Sequence, residues 1–406
     1  MADRVTGHSL LLPGAHRAED VTGDAALVRS MVSVELAWFA ALLDAGLVTA
    51  EQHAAVATAA DRIGLDQLDP VAVEAAGNPV LPLVKALRAC IGDPNLTATL
   101  HRGLTSQDVL DTALMLMLAS TRTSVRADLL TVATALAGLA ERYRDAVMAG
   151  RTLTQHAVPI TFGLKSAQWL VAVLDADVRL EVLALPVQVG GAAGTLSKAS
   201  QSVTDLGRAV EVVADRLGLD VPDLPWHTRR APVTRAGDAL VEACDVLGSI
   251  ASEILLLGRP EIDELREGGA PGRGQSSTMP QKRNPVLAVL VRSAALQAPL
   301  LGAQLHACAA QAIEERPDGA WHAEWPALRQ LMRITVTAAA QAAELVSHLV
   351  VHRDVMEERA RAAAAVLLAE RGGEGPADLA SYLGQADAFV DRALALFRSF
   401  RERSDG

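Results

Sequence analysis

The stretch of residues 106–148 constrains the fold of this chain more than any other, because neither glycine nor proline interrupts it before Gly138. Apolar residues recur along it at the spacing of an α-helix, at Leu110, Ala113, Leu114, Met117, Leu130, Val132, Leu136 and Leu139. A continuous helix of about 43 residues would be roughly 65 Å long. Helices of that length belong to bundles, in which neighbouring helices cover their apolar faces.

Further helical patterns extend this prediction to most of the chain. They fall in two helices within 21–63, in single helices near 80–90, 162–185, 231–257, 285–312 and 325–351, and in a short helical tail over 354–406. Half of the residues are hydrophobic but only 3% are aromatic, so alanine, leucine and valine supply most of the apolar surface. Alanine and leucine favour helices, and the scarcity of aromatic residues argues against extensive sheets. We therefore predict an all-α fold with an N-terminal helical domain over 1–104, a central bundle of long helices over 105–352 and a shortened C-terminal helical domain over 353–406.

Charge and cysteine content narrow the class of partner. The net charge of −11 attracts neither nucleic acid nor an anionic membrane, so an anionic substrate would need locally placed positive charge. The three cysteines lie far apart and lack metal-ligand spacing, which is typical of a reduced, cytoplasmic protein. Residues 1–7 lack the features of a signal peptide, and we expect no apolar run close to the roughly 20 residues of a membrane span.

Three polar segments interrupt the helical patterns. Segment 101–108 precedes the longest helix, where it is either an ordinary N-cap or an anion site at a helix N-terminus; His101 within it is either structural or an acid, base or ligand. Segment 151–159 is dense in hydroxyl, amide and imidazole groups, as a capped loop or as part of a site. Segment 225–230 ends in Arg229 and Arg230, which suit carboxylate recognition but are equally compatible with a solvated surface.

A fourth segment, 268–285, carries the strongest indication of chemistry. Four glycines within 268–274 predict a mobile flap, and three hydroxyl residues follow over 276–278. Lys282 and Asn284 lie two residues apart immediately before Pro285. A flexible connector alone needs no such combination of groups, so we place the catalytic site here.

Segment 276–285 resembles the signature of the fumarase/aspartase superfamily, and segments 105–108 and 151–155 fall where the other two signature regions of that superfamily are expected. Within the superfamily, the likeness points to the bacterial 3-carboxy-cis,cis-muconate cycloisomerases. It rests on segments 76–84, 105–113, 155–159, 190–196, 225–228 and 319–326. It covers roughly residues 10–350 and resumes at 382–387.

This resemblance implies three helical domains and a homotetramer whose pooled central helices form one core, with each active site built from three subunits. It also implies a small anionic polycarboxylate as substrate and no metal or organic cofactor. The implied reaction closes 3-carboxy-cis,cis-muconate to 4-carboxymuconolactone in the protocatechuate branch of aromatic acid breakdown, the β-ketoadipate pathway. A substrate carboxylate adds across a double bond, and protonation passes through a doubly charged aci-carboxylate intermediate.

The resemblance also assigns roles to residues. Ser276 is the expected general acid/base, with loop closure lowering its pKa, and His101 and His156 are the other catalytic candidates. Donors and positive charge must gather where the aci-carboxylate develops. The expected substrate-binding residues are Thr105, Ser106, Thr152, Gln155, Arg230, Ser277, Met279, Lys282, Asn284 and Arg316.

Three departures from the family pattern bear on the activity. Leu153 occupies the position of a catalytic histidine in the fumarate-forming lyases; an amine or hydroxide leaving group needs a proton donor there, whereas a carboxylate does not. Leu153 therefore favours lactonisation. Gln275 replaces the usual glycine before the serines, and the C-terminal part is shortened between about 368 and 377.

Two alternatives remain open at this point. One is another lyase of the superfamily that performs β-elimination on a succinyl-type substrate. The other is a helical scaffold that has lost catalysis, against which the retention of Ser276, Lys282 and Asn284 argues.

Overall fold

The computed structural model describes residues 10–372 and 378–404, and helices make up most of them. The α-helices are α1 Glu19–Thr22, α2 Asp24–Asp44, α3 Ala50–Ala60, α4 Pro70–Ala76, α5 Val80–Ile91, α6 Pro94–Thr99, α7 Ser106–Arg142, α8 Phe162–Glu181, α9 Leu206–Leu217, α10 Ala231–Leu257, α11 Val286–Ala310, α12 Gly319–Ser347, α13 Arg353–Ala362, α14 Ala364–Leu367 and α15 Ala386–Ser404. Short 3-10 helices span Ala15–Ala18, Leu65–Gln67, Ala199–Gln201, Ala369–Arg371 and Leu379–Tyr382. The strands are β1 Val147–Thr152, β2 Gln155–Thr161, β3 Leu265–Arg266 and β4 Val350–Val351. The prediction of an all-α fold is confirmed.

The chain divides into two compact units. Unit 1 comprises the described parts of 1–123, 183–238 and 300–334, and unit 2 comprises those of 124–182, 239–299 and 335–406. The domain boundaries drawn from the sequence stay a prediction. The expected shortening near 368–377 lies partly outside the described residues, since 373–377 are not described.

Unit 1 is organised around α2, which packs on α3 and α9. Trp38 and Phe39 of α2 are fully buried, as is Leu83 of α5. The indole Nε1 of Trp38 donates to the carbonyl of Arg102 at 3.0 Å, so the one polar atom of this large side chain is satisfied. Burying each such side chain contributes about 1.5–3 kcal/mol. These contacts fix the segment just before α7, where several candidate site residues lie.

Unit 2 contains both small sheets. Strands β1 and β2 form an antiparallel hairpin, and β3 pairs with β4 in the same sense. Helix α13 packs on β1, and α15 packs on α8. Arg126 and Asp177 hold α7 and α8 together through a bidentate ion pair, with Nη2 to Oδ2 at 2.9 Å.

The hairpin corrects two predictions from the sequence. Segment 151–159 is not a capped loop but contains the end of β1, the turn and most of β2, and the long helix α7 ends at Arg142 rather than near 148. The β-branched residues Val147, Val158 and Ile160 favour a strand, and they outweigh the helical pattern that precedes them. Helix α12 begins at Gly319 rather than at 325, with Pro326 inside it. By contrast, α10 begins and ends where it was predicted.

Two helical segments are long and apolar enough to cross a membrane by length and composition, contrary to the expectation that no such run exists. They are Ala15–Asp44, with mean hydropathy 1.6, and α11, with mean hydropathy 1.7. The first is 61% buried within the protein and the second only 33%. Helix α2, which forms most of the first segment, therefore serves as a core helix, whereas much apolar surface on α11 is exposed.

Candidate active site

The flap over 268–285 in unit 2 is closed at its neck by backbone and amide contacts. The backbone N–H of Asn284 donates to the carbonyl of Gly274 at 2.8 Å, and Asn284 Nδ2 donates to the same oxygen at 3.1 Å. Gln275 and Arg283 form an isolated antiparallel bridge. Gly274 has φ +70, and a Cβ there would collide with the carbonyl oxygen of Asn284, so only glycine fits. The predicted substrate-binding residue Asn284 therefore holds the flap neck in this conformation.

Ser276 lies just beyond this neck, half-buried. Its Oγ accepts hydrogen bonds from the backbone N–H groups of Thr278 at 3.3 Å and Met279 at 3.1 Å. Donors aimed at an oxygen stabilise negative charge on it, so this turn already favours the alkoxide that a general base requires. The side chains of Ser277, Met279 and Lys282 around it are exposed.

The two ends of the flap are fixed to the rest of unit 2 by one ion pair and a helix cap. Glu267 accepts from the backbone N–H groups of Leu287 and Ala288, each at 3.1 Å, and thereby caps the N-terminus of α11. Arg273 pairs with Glu344 of α12. The part of the flap over 276–282 lies between these anchors.

The hairpin tip carries the second group of predicted residues. Leu153 and Thr154 have φ +48 and +72, the pattern of a type I′ turn, which normally takes asparagine and glycine. Leu153 is 96% exposed. Thr152, Gln155 and His156 flank the turn and are also exposed.

Unit 1 contains the third group, at the start of α7. The backbone N–H of Thr105 donates to Asp108 Oδ2 at 2.9 Å, which caps the helix, while Thr105 Oγ1 accepts from Arg316. Arg316 and Thr105, two of the predicted substrate-binding residues, are thus in contact. Ser106 is the first residue of α7.

His101 lies beside this helix start and has a carboxylate partner that sequence reasoning missed. Its Nδ1 lies 2.6 Å from Oε1 of Glu35, which is 1% exposed. Burial alone would lower the pKa of His101, but the hydrogen bond and charge of Glu35, aided by Asp108, outweigh it and raise the pKa. The backbone of His101 has φ +64.

Beneath the helix start, Asp108 joins several segments of unit 1. Its carboxylate accepts from the backbone N–H groups of Gly190 and Gly191, both at 2.9 Å, and lies 2.8 Å from Nε2 of the buried His227. A buried acid that binds this many donors organises the segments around it. It therefore sets the position of Thr105, which it also caps.

Arg230 is the clearest difference from the sequence interpretation. It donates to both oxygens of Asp111, at 2.7 and 3.0 Å, and to Glu324, and it is 3% exposed. Trp321 Nε1 also donates to Asp111 at 2.9 Å. Burial raises the pKa of Glu324 despite the opposing effect of Arg230. This geometry favours a structural role over the predicted anchor for a substrate carboxylate, because neither the Nε nor the Nη groups of Arg230 are left free.

Within unit 1 the structure thus joins Thr105 to Arg316, whereas His101 contacts Glu35. In unit 2 it places the flap residues on one loop and Thr152, Gln155 and His156 on the hairpin. The partners Glu35, Asp111 and Glu324 were missed; the one available signal was Asp108 and Asp111, two acids three residues apart on an apolar helix. Over the described ranges, no group of three or more His, Cys, Asp or Glu side chains could hold a metal ion.

The helical fold and the three polar regions define a class of enzyme, the lyases. A lyase family model matches residues 17–300, and the chain belongs to the fumarase/aspartase family of lyases.

Within this class, the chain is similar to particular lyases and cycloisomerases. The chain is 43% identical over 398 residues to the nitrosuccinate lyase of Streptomyces davaonensis, covering 95% of this chain and 82% of the relative. It is 37% identical over 372 residues to the 3-carboxy-cis,cis-muconate cycloisomerase of Bradyrhizobium diazoefficiens, covering 90% of this chain and 81% of that relative. The crystal structure of the 3-carboxy-cis,cis-muconate lactonizing enzyme from Pseudomonas putida has a TM-score of 0.85 at 31% identity, covering 96% of this chain and 99% of that one.

Proposed function

We propose that this chain is a lyase that eliminates a weakly basic anion from a substituted succinate, with nitrosuccinate as substrate and fumarate and nitrite as products. The observation that carries the choice of substrate is the 43% identity to the nitrosuccinate lyase of Streptomyces davaonensis over 95% of this chain. Leu153, an exposed apolar residue at the hairpin tip, agrees with it, because the resemblance to the amine- and hydroxide-releasing lyases implies a catalytic histidine at this position. Leucine donates no proton, so this position suits a leaving group that departs as a stable anion. Nitrite is such an anion, whereas an amine or hydroxide is not.

The chemistry follows from the properties of the succinate. Ser276 Oγ takes a proton from the carbon beside one carboxylate, and the electron pair passes into that carboxylate as an aci-carboxylate. The carbon–nitrogen bond on the neighbouring carbon then breaks, its electrons leave with nitrite, and the double bond of fumarate forms. The proton stays on Ser276 until solvent takes it.

Charge stabilisation is the main demand on the site. The two backbone N–H groups that contact Ser276 Oγ support its action as a base. We assign Lys282 to the developing aci-carboxylate and Thr105 with Arg316 to a second carboxylate, because these three bear the donors that such a substrate requires. Asn284 exchanges its contact with Gly274 for the substrate when the flap closes.

The second candidate is the cycloisomerase reaction on 3-carboxy-cis,cis-muconate. The similarity to the Pseudomonas putida enzyme over nearly the whole chain favours it. In the reverse of this reaction the lactone ring opens and the leaving group is a carboxylate. A carboxylate needs no proton from residue 153 either. Both reactions share the aci-carboxylate, so they differ in substrate rather than in the groups that act.

We also propose that the protein works in the cytoplasm as a homotetramer. The exposed apolar surface of α11 supports self-association, because a helix of mean hydropathy 1.7 that is only 33% buried leaves apolar area without a partner. Breakdown of aromatic acids through protocatechuate is the accompanying pathway only if the second candidate is correct.

One pair of assays tests the proposal. Purified protein is incubated with 2-nitrosuccinate, and nitrite is measured by a diazo dye while fumarate is followed by its ultraviolet absorbance. In parallel, 3-carboxy-cis,cis-muconate is supplied and the loss of its absorbance is recorded. We expect nitrite and fumarate in equal amounts. Loss of muconate absorbance without nitrite release would establish the second candidate, and turnover of neither substrate would refute both.

A further inference from the structure

Close to the tip of the hairpin, an ion pair joins Arg151 of β1 to a buried carboxylate next to the flap. Arg151 of β1 donates from Nη2 to Glu264 Oε1 at 2.9 Å and from Nη1 to Glu264 Oε2 at 3.1 Å, a bidentate pair. Glu264 is fully buried, and the Arg151 side chain is 20% exposed. Arg151 Nη1 also donates to the carbonyl of Ala149 at 3.3 Å. Both Nη groups of Arg151 are therefore engaged within the protein.

Glu264 belongs to the segment that leads into the flap. It immediately precedes β3, and Glu267, which caps α11 at the far end of the flap, immediately follows β3. The backbone of Glu264 accepts from His352 at 3.0 Å, and β3 pairs with β4. The root of the flap is thus a short, well-anchored strand with a carboxylate on each side.

Arg151 in turn fixes the residues at the hairpin tip. It is paired in register with His156, and Thr152 is paired with Gln155. The register shifts between Ala149 and Arg151, and a Cβ on Gly150 would lie 2.5 Å from the carbonyl oxygen of Val158. Such an irregularity re-aims the side chain that follows it, here Arg151.

We propose that Arg151 and Glu264 are positioning residues, whose ion pair sets the hairpin tip with Gln155 and His156 against the root of the catalytic flap. Neither contacts substrate; they act through the groups that they hold. The inference rests on the proposed function for its kinetic part, since the hairpin and the flap both carry groups that we assign to catalysis. A displacement of about 1 Å is enough to cost a hundredfold in rate.

The test compares Arg151→Lys with a matched control, Arg353→Lys. Lysine keeps the charge but loses the bidentate geometry. Arg353 makes a similar pair with Asp145 in the same unit, with Nη1 to Oδ1 at 3.2 Å and Nη2 to Oδ2 at 3.1 Å, but this pair is exposed. Hydrogen exchange of the free protein is measured at peptides spanning β1–β2 and 265–290. We expect at least about tenfold faster exchange at Leu287 and Ala288 and in the hairpin for Arg151→Lys, and wild-type rates for Arg353→Lys.

Kinetics with the substrate that the wild type accepts supply the second readout. For Arg151→Lys we expect kcat to fall about a hundredfold while KM changes by less than about threefold. Should Arg151→Lys or Glu264→Gln not fold, the double variant Arg151→Met, Glu264→Met removes both charges and retains the fold. It is expected to show the same fast exchange and low kcat, because the directional pair is gone.

Wild-type exchange in Arg151→Lys, or equal changes in Arg353→Lys, would overturn the inference. So would fast exchange with kcat unchanged. If the wild type converts neither substrate, the proposed function fails, while the exchange measurement still decides whether the ion pair couples the hairpin to the flap.

Discussion

At His101, burial and a neighbouring carboxylate act on one imidazole in opposite directions. The hydrogen bond and the charge of Glu35 together outweigh the effect of burial, so the pKa of His101 is raised above its ordinary value of 6.5. The protonated form is therefore favoured in the folded state, and the pair contributes stability that is fully present below the unfolded pKa. That contribution is lost as the pH rises through the folded pKa.

This loss of stability with rising pH leads to a prediction for the variant His101→Gln. The difference in free energy of unfolding between wild type and variant should shrink as the pH rises from about 6 to about 9. Urea unfolding at a series of pH values measures it. His306→Gln is the control, because its pair with Asp238 is exposed and worth little. A difference that grows with pH would contradict the assignment of a protonated His101.

Ser276 is the residue on which the proposed chemistry depends. Ser276→Ala should lower kcat by at least about a thousandfold, some 4 kcal/mol, because no other oxygen takes its place. Helical circular dichroism should be unchanged, since Ser276 is half-buried on a loop. Ser277→Ala, its neighbour, should have a much smaller effect. Comparable turnover in Ser276→Ala and wild type would place the base elsewhere, with His101 and His156 the next candidates.

Among the elements, α10 is preceded by two adjacent arginines that differ in burial. Arg230 pairs with Asp111 and Glu324 in the interior, whereas Arg229 is exposed. Arg230→Met leaves two buried carboxylates without their cation and should cost about 3–5 kcal/mol of stability. Arg229→Met should change it by less than about 0.5 kcal/mol. Thermal unfolding of both variants checks this, and equal melting temperatures would be inconsistent with the buried pair.

For the hairpin turn, by contrast, we predict a substitution that raises the stability of the protein. Thr154 is β-branched and has φ +72, which is strained for any residue but glycine or asparagine. Thr154→Gly should therefore stabilise the protein by about 1 kcal/mol. Thr152→Gly, in the strand before the turn, should destabilise it, because glycine weakens strands. A lower melting temperature for Thr154→Gly would show that the side chain has a contact that offsets the strain.

Predictability from the sequence also varies by element. The bounds of α10 follow from helical periodicity alone, because the apolar pattern continues across Gly237 and Gly248. The hairpin does not, because β1 and β2 are short, polar at the tip and joined by a turn without asparagine or glycine. Motif spacing finds Ser276, Lys282 and Asn284. The contacts of Asp108 with Gly190 and His227 span 82 and 119 residues, and only tertiary structure brings such partners together.

For the whole molecule, α11 raises the question of assembly. Val289 and Leu296 lie two turns apart on this helix and are 50% and 68% exposed. We predict that wild type is oligomeric at micromolar concentration and that Leu296→Glu dissociates it. The reason is that a charge then replaces apolar area that the interface between subunits would bury. Size-exclusion chromatography with light scattering measures the mass. Leu224→Glu, at the same 68% exposure, should leave it unchanged. A monomeric wild type would refute the prediction.

The exposure of Leu153 also has an evolutionary meaning. Almost nothing packs against this side chain, so its replacement does not disturb the core or the strands that hold it. Some leucine codons become histidine codons through a single base change. For a gene with such a codon, a proton donor at the hairpin tip lies one mutational step away. The hairpin offers this lineage a short route between neighbouring activities at little risk to folding.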